Sequence, residues 1–198
     1  MNDIKEEVKE KIKQYSNEEY FDGYIKNEFL TDNGKADIFL KITSKEELFD
    51  SKTMGNQLDL NNGIYKFLDS KTSILDNNIK IKLNIVSENI KKKDLEKVKH
   101  LISEHYAIEL YKAQKEYKKN NIKFIKLIIV GMLFLICYAI IALSSTSKFF
   151  IEVFGFLFSF TLWHAFETLM NTLKAIKIKR ESITQKLVMD IVFNNNEQ

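Results

Sequence analysis

A chain of 198 residues and 23.3 kDa, 45% apolar and 12% aromatic, has enough hydrophobic material for one or two small domains and is excluded from the disordered class. Its single cysteine excludes a disulfide framework and a cysteine-based zinc site. The 30 basic and 27 acidic side chains nearly cancel but are unevenly spread: residues 1–111 carry 18 and 21 of them, net −3, and residues 112–198 carry 12 and 6, net +6.

Arg180 is the sole arginine, and Asn, Ile and Lys abound, as an AT-rich genome would impose on almost any protein, so the lysine excess does not by itself point to nucleic acid. Average usage would give about ten prolines. There are none, which permits long uninterrupted helices.

In chain order, Ile4, Val8, Ile12 and Tyr15 fall at helical spacing between charges and predict an amphipathic helix over Asp3 to Tyr15. A second helix, Glu18 to Phe29, ends at the turn Asp32-Asn33-Gly34. The alternating segments Ala36 to Ile42 and Ile79 to Val86 read as two strands. Between them Asp59 or Asn61 caps a helix running through Leu68, after a polar loop from Leu48 to Leu58. Two strands alone are marginal, so this head, residues 1–111, needs helices packed on it or further strands from a second subunit. From Asp94, with Leu95, Val98, Leu101, Ile102 and Tyr106 at helical spacing, nothing breaks a helix before Ser144 except Gly131, which spans tolerate.

That helix passes through a basic linker, 112–126, into Leu127 to Leu143, 17 residues without a charge, or 20 from Phe124 if Lys126 snorkels. Twenty residues at about 1.5 Å rise cross a hydrocarbon core of about 30 Å. A short polar loop, 144–148, leads to a second apolar run, 149–171, weakened by Glu152, His164 and Glu167. The competing reading, a buried helix of a soluble core, would leave this aromatic run unpartnered. The fold class expected is therefore a mainly α membrane protein: a two-helix transmembrane hairpin, a small N-terminal α+β cytoplasmic domain, and a long helix continuing into the first span.

Lysine asymmetry orients the hairpin. Lys112, Lys115, Lys118, Lys119, Lys123 and Lys126 precede the first span, and Lys174, Lys177, Lys179 and Arg180 follow the second, whereas the connecting loop has only Lys148. Both termini are expected in the cytoplasm of a bacterial cell, with these ten side chains meeting anionic headgroups of its membrane. The charged N-terminus has no apolar signal-peptide core. The tail, 172–198, has Ile183, Leu187, Val188, Ile191 and Val192 at helical spacing and reads as a basic amphipathic helix through Phe193, extending the second span into the cytosol.

At about 100° per residue, Glu152, Gly155, Ser159, Trp163 and Glu167 share one side of the second span with Asn171 just beyond, while Thr161 and Leu162 lie opposite; His164 is three residues from Glu167 and in reach of it. Ionisable groups at bilayer depth cost about 2.5 to 3.5 kcal/mol, so such a stripe faces protein or water unless its members snorkel at the two interfaces. Small residues offer close packing: Gly131, Tyr138 and Ala142, with Ser145, share a face of the first span, and Gly155 and Ser159 form a small-x-x-x-small pair on the second. Whether these faces meet within one hairpin or between hairpins is open at this level.

No phosphate-binding glycine loop, G-x-S-x-G elbow, H-E-x-x-H helix or EF-hand loop is present. His100, Glu104 and His105 read as a solvated face in preference to a metal site, because two histidines five apart diverge by about 140°. No cofactor, metal or nucleic acid is expected. The function expected is a non-enzymatic, self-associating membrane protein whose cytoplasmic head senses or docks a partner, with the assembled spans acting as scaffold or pore. The alternatives are a membrane-tethered enzyme or ligand-binding head using Asp50, Asn56, Asp59 and Asn61, or a structural subunit of a larger complex.

Overall fold

The computed structural model describes residues 2–16, 18–31, 33–87, 92–144 and 148–195. The protein is mostly helical with a small parallel sheet. Helices α1 (Asn2–Tyr15) and α2 (Glu18–Glu28) lead into strand β1 (Lys35–Ile42); α3 (Lys45–Leu48) and α4 (Asn62–Thr72) precede β2 (Lys80–Ser87); α5 (Lys92–Leu143), α6 (Lys148–Glu167), α7 (Lys174–Leu187) and β3 (Asp190–Asn195) complete the chain. Asp32 of the expected turn and residues 145–147 of the connecting loop, with Ser145, lie outside the described residues. Gly34 turns the chain into β1 at φ +68°, where a side chain would be strained. By contact the chain divides into two compact units, Met1–Ala107 with Thr184–Gln198, and Ile108–Ile183.

The first unit is built on the order β1-β2-β3, all parallel, with Asp37 beside Lys82 beside Asp190 and Ile38 beside Leu83 beside Ile191. β3 corrects one expectation. The tail is helical only to Leu187, and the segment Asp190–Asn195, whose first part was read as the end of that helix, is a strand. Of the two ways of completing the head, helices do pack on the sheet, and a third strand is supplied by the chain's own C-terminal segment. Ile191, Val192 and Phe193 are good strand formers, and the open edge of β2 gives their backbone groups partners that a frayed helix end would lack.

Alternation sorts the sheet. Ala36, Ile38 and Ile42 of β1 and Ile81, Leu83 and Ile85 of β2 are at most 2% exposed on one face, whereas Lys35, Asp37, Phe39 and Lys41 of β1 and Lys80 and Lys82 of β2 belong to the other. Ile64, Tyr65 and Leu68 of α4, Leu95, Val98, Ile102 and Tyr106 of α5, and Leu48 and Leu60 complete this core. Asn61 is the cap of α4, accepting from Gly63 N, and the helix runs a turn beyond Leu68 to Thr72. Ser44 caps α3 in the same way, and Glu47 answers by accepting from Thr43 N and Oγ1. These hydroxyl and backbone bonds hold the Glu47 carboxyl below the usual carboxylate range.

In the second unit α5 continues unbroken through Gly131 to Leu143, as its sequence implied. Both α5 and the run from α6 into α7 are long and apolar enough to cross a membrane, with only 6% and 11% of their most apolar stretches buried. Between α6 and α7 the helix loosens to a π-helical turn, Thr168–Leu173.

Candidate functional site

The two apolar helices meet antiparallel through small residues. A Cβ on Gly131 would sit 3.7 Å from Thr161 Cγ2, and one on Gly155 would sit 3.4 Å from the Tyr138 ring. Phe134 and Phe154 bring their ring centroids to 6.3 Å. Thr161, Ala165 and Thr168 are buried on α6 and the turn after it, and both threonines return their hydroxyls to backbone, to Leu157 O and His164 O. The small-residue faces therefore meet inside the hairpin. Gly131, Gly155 and Tyr138 take part in this contact, while Ala142 and Ser159 are exposed and do not.

The polar stripe lies on the other side. Trp163 stands two residues beyond Thr161, about 200° around the helix, and is 68% exposed. Glu152, Ser159, Glu167 and Asn171 are exposed with it, and His164 is half-buried at the stripe's edge. His164 Nδ1 lies 3.1 Å from Glu167 Oε2, the pairing expected of their spacing, and the imidazole lies nearly parallel to the Phe160 ring. Asn171 falls within the π-helical turn, a local irregularity that the sequence did not signal and that is common at functional sites.

Of the basic flank, Lys112, Lys115, Lys118, Lys119, Lys123, Lys126, Lys174, Lys177 and Lys179 are exposed. Lys112 pairs with Glu109 at 2.7 Å and Lys177 with Glu181 at 4.0 Å. Arg180 departs from the set: its guanidinium lies 5.0 Å over the Tyr117 ring, so it ties α7 to α5.

In the head, the polar residues proposed for chemistry are occupied by local structure. Asp50 accepts from Lys52 N in a turn, Asp59 accepts from Leu60 N and from the Tyr65 hydroxyl at 2.6 Å, and Asn61 is the helix cap; the Asn56 side chain lies outside the described part. Burial raises the Tyr65 hydroxyl far above its usual range and Asp59 adds to it. His100 and Glu104 lie 3.8 Å apart on an exposed face, whereas His105 turns inward and stacks on Tyr65 at 3.6 Å. Among the described residues no group of three potential metal ligands gathers.

Sequence reasoning missed two head features. Gln185 Nε2 donates to Asp76 O and Ile79 O, and the buried Lys186 reaches Asp69 Oδ1 at 2.6 Å, an oxygen to which the Tyr106 hydroxyl also donates, so the end of α7 is clamped to α4 and the approach to β2. The second is the charged row Asp37–Lys82–Asp190 across the sheet, visible only once β3 is paired. Comparison of the chain with family models, with curated proteins and with solved structures finds no match.

Proposed function

We propose that this protein is a non-enzymatic, homo-oligomeric membrane protein whose head senses or docks a partner in the cytoplasm and whose assembled spans act as a scaffold or pore. The observation that carries this reading is the orientation of the stripe. Small residues satisfy the hairpin's internal seam, and Glu152, Ser159, Trp163 and Glu167 are left on its outer surface. In a bilayer that surface faces lipid, which an ionisable group tolerates poorly, so a second copy or a water-lined path is its natural cover.

Membrane insertion is supported by apolar stretches of which only 6% and 11% are buried, an arrangement unfavourable in water. An even number of crossings, with both flanks on one side, is supported by the parallel pairing of β2 with β3, because the chain leaves the sheet before α5 and returns to it after α7. The exposed lysines at both flanks then face the anionic cytoplasmic leaflet. The third strand removes the head's reason to seek strands from another subunit, so self-association is assigned to the spans.

Purified protein in liposomes provides the test. We expect an oligomer in mild detergent and a leak or conductance altered by Glu167→Gln and His164→Ala. A monomer over a wide concentration range overturns the assembly. An oligomer that is tight to ions and insensitive to both substitutions leaves the scaffold and removes the pore.

A further inference from the structure

We infer that the first unit holds a binding pocket for a small phosphorylated polyol, of the sugar-phosphate class, on the charged face of the sheet. A cavity of about 420 Å³ opens there, lined among others by Asn33, Lys35, Asp37, Lys82, Lys99 and Asp190. That volume is in the range of small-molecule sites, about 300 to 1,000 Å³. Its floor is one register row of the three strands, Asp37 beside Lys82 beside Asp190, whose side chains share a face because parallel neighbours in register point the same way.

The charges do not all satisfy one another. Lys35 reaches over the central strand to Asp190, Nζ to Oδ2 at 3.2 Å, and that pair is closed. Lys82 and Lys99, from β2 and α5, make no ion pair among the described residues although Asp37 adjoins Lys82 in register. Asp37 Oδ1 is itself buried and accepts no hydrogen bond. A buried carboxylate oxygen without a donor is costly and rarely retained without cause.

Lys82, Lys99 and Asp37 thus line one cavity, with two lysines against one carboxylate, a surplus of one positive charge. A phosphate monoester between Lys82 and Lys99 meets the cationic side through charge-assisted bonds. A hydroxyl on the same molecule donates to the Asp37 carboxylate. A simple cation is disfavoured by the ammonium surplus, and an anion lacking hydroxyls leaves Asp37 unmet. The assignment supplies a ligand class for the sensing role of the head, and its test involves no conductance, so either reading can fail alone.

Calorimetric titration of the full chain in uncharged detergent with ribose 5-phosphate, with methyl phosphate as comparator, tests it. We expect saturable binding at one site per chain, tighter for ribose 5-phosphate, and a rise in the unfolding temperature at saturation. Lys82→Met and Lys99→Met should each weaken binding about tenfold or more, the loss of one charge-assisted contact. Asp37→Asn should erase the preference over methyl phosphate. Lys99 is on an exposed helical position, so its variant folds even if Lys82→Met does not. Absence of saturable binding at millimolar concentrations overturns the inference, as does binding indifferent to Lys99→Met. Binding seen only with phosphatidylglycerol in nanodiscs overturns the free metabolite in favour of a lipid headgroup.

Discussion

Lys186 Nζ lies 2.6 Å from Asp69 Oδ1, joining the end of α7 to α4 across 117 positions of sequence. The lysine side chain is 9% exposed and the aspartate 53%, so the two partners are unequally desolvated. The ammonium also lies 5.2 Å over the Tyr106 ring.

That inequality predicts an order of effects. Asp69→Asn leaves a buried ammonium without its counter-charge and should destabilise the head by about 1 to 2 kcal/mol, below the usual loss for a fully buried pair because Asp69 is half in water. Lys186→Met keeps the stem and its packing and releases Asp69 to solvent, so it should cost less. Denaturant unfolding of both variants and their double mutant decides the order; a larger loss from Lys186→Met refutes the lysine as the desolvated partner.

Removal of residues 188–198 should expose the edge of β2 and leave the apolar face short of one strand. We expect a lower unfolding midpoint, proteolytic cleavage within the head, and concentration-dependent aggregation through the free edge. An unchanged melting curve would show that β3 contributes nothing to the unit.

The two hairpin glycines should respond differently to the same methyl group. At Gly131 an added Cβ meets Thr161 at 3.7 Å, ordinary contact, so Gly131→Ala should be nearly neutral. At Gly155 the 3.4 Å approach to Tyr138 requires the ring to yield slightly. Leucine at either position should cost about 1 to 3 kcal/mol by forcing the helices apart, read as thermal stability in detergent. Because Gly155 faces Tyr138, these substitutions strike the hairpin itself. Loss of the oligomer without loss of hairpin stability is expected instead from Trp163→Ala, measured as mass in mild detergent.

Alkaline titration should reach Tyr65 and Tyr106 late. Burial raises the Tyr65 and Tyr106 hydroxyls well above their usual range, reinforced by Asp59 and Asp69. The folded state therefore keeps protons that the unfolded state releases above about pH 10. Their stabilising effect is complete below that pH and is lost as pH rises through it. Tyr65→Phe and Tyr106→Phe should each flatten the fall in stability by up to about 1.4 kcal/mol per pH unit, followed by urea unfolding from pH 9 upward. Equal slopes in the variants and the parent would contradict the buried hydroxyls.

The sequence alone determined what depends on local periodicity: the helix from the head into the first apolar run, the strands near 36–42 and 79–86, and the clustering of Glu152, Ser159, Trp163 and Glu167 on one side of the second. A 3.6- or 2-residue repeat is carried by neighbours in sequence and needs no knowledge of partners. Tertiary structure decided the rest. The run Ile191 to Phe193 suits a helix end or a strand, and only the open edge of β2, more than 100 residues away, selects the strand. Gly131 and Gly155 announced close packing, but their partners Thr161 and Tyr138 were fixed by the geometry of the hairpin. The Lys186–Asp69 contact and the row Asp37–Lys82–Asp190 had no local signature, because each exists only after distant elements pair. Their energies belong to contacts between segments, which no repeat along a single segment can encode.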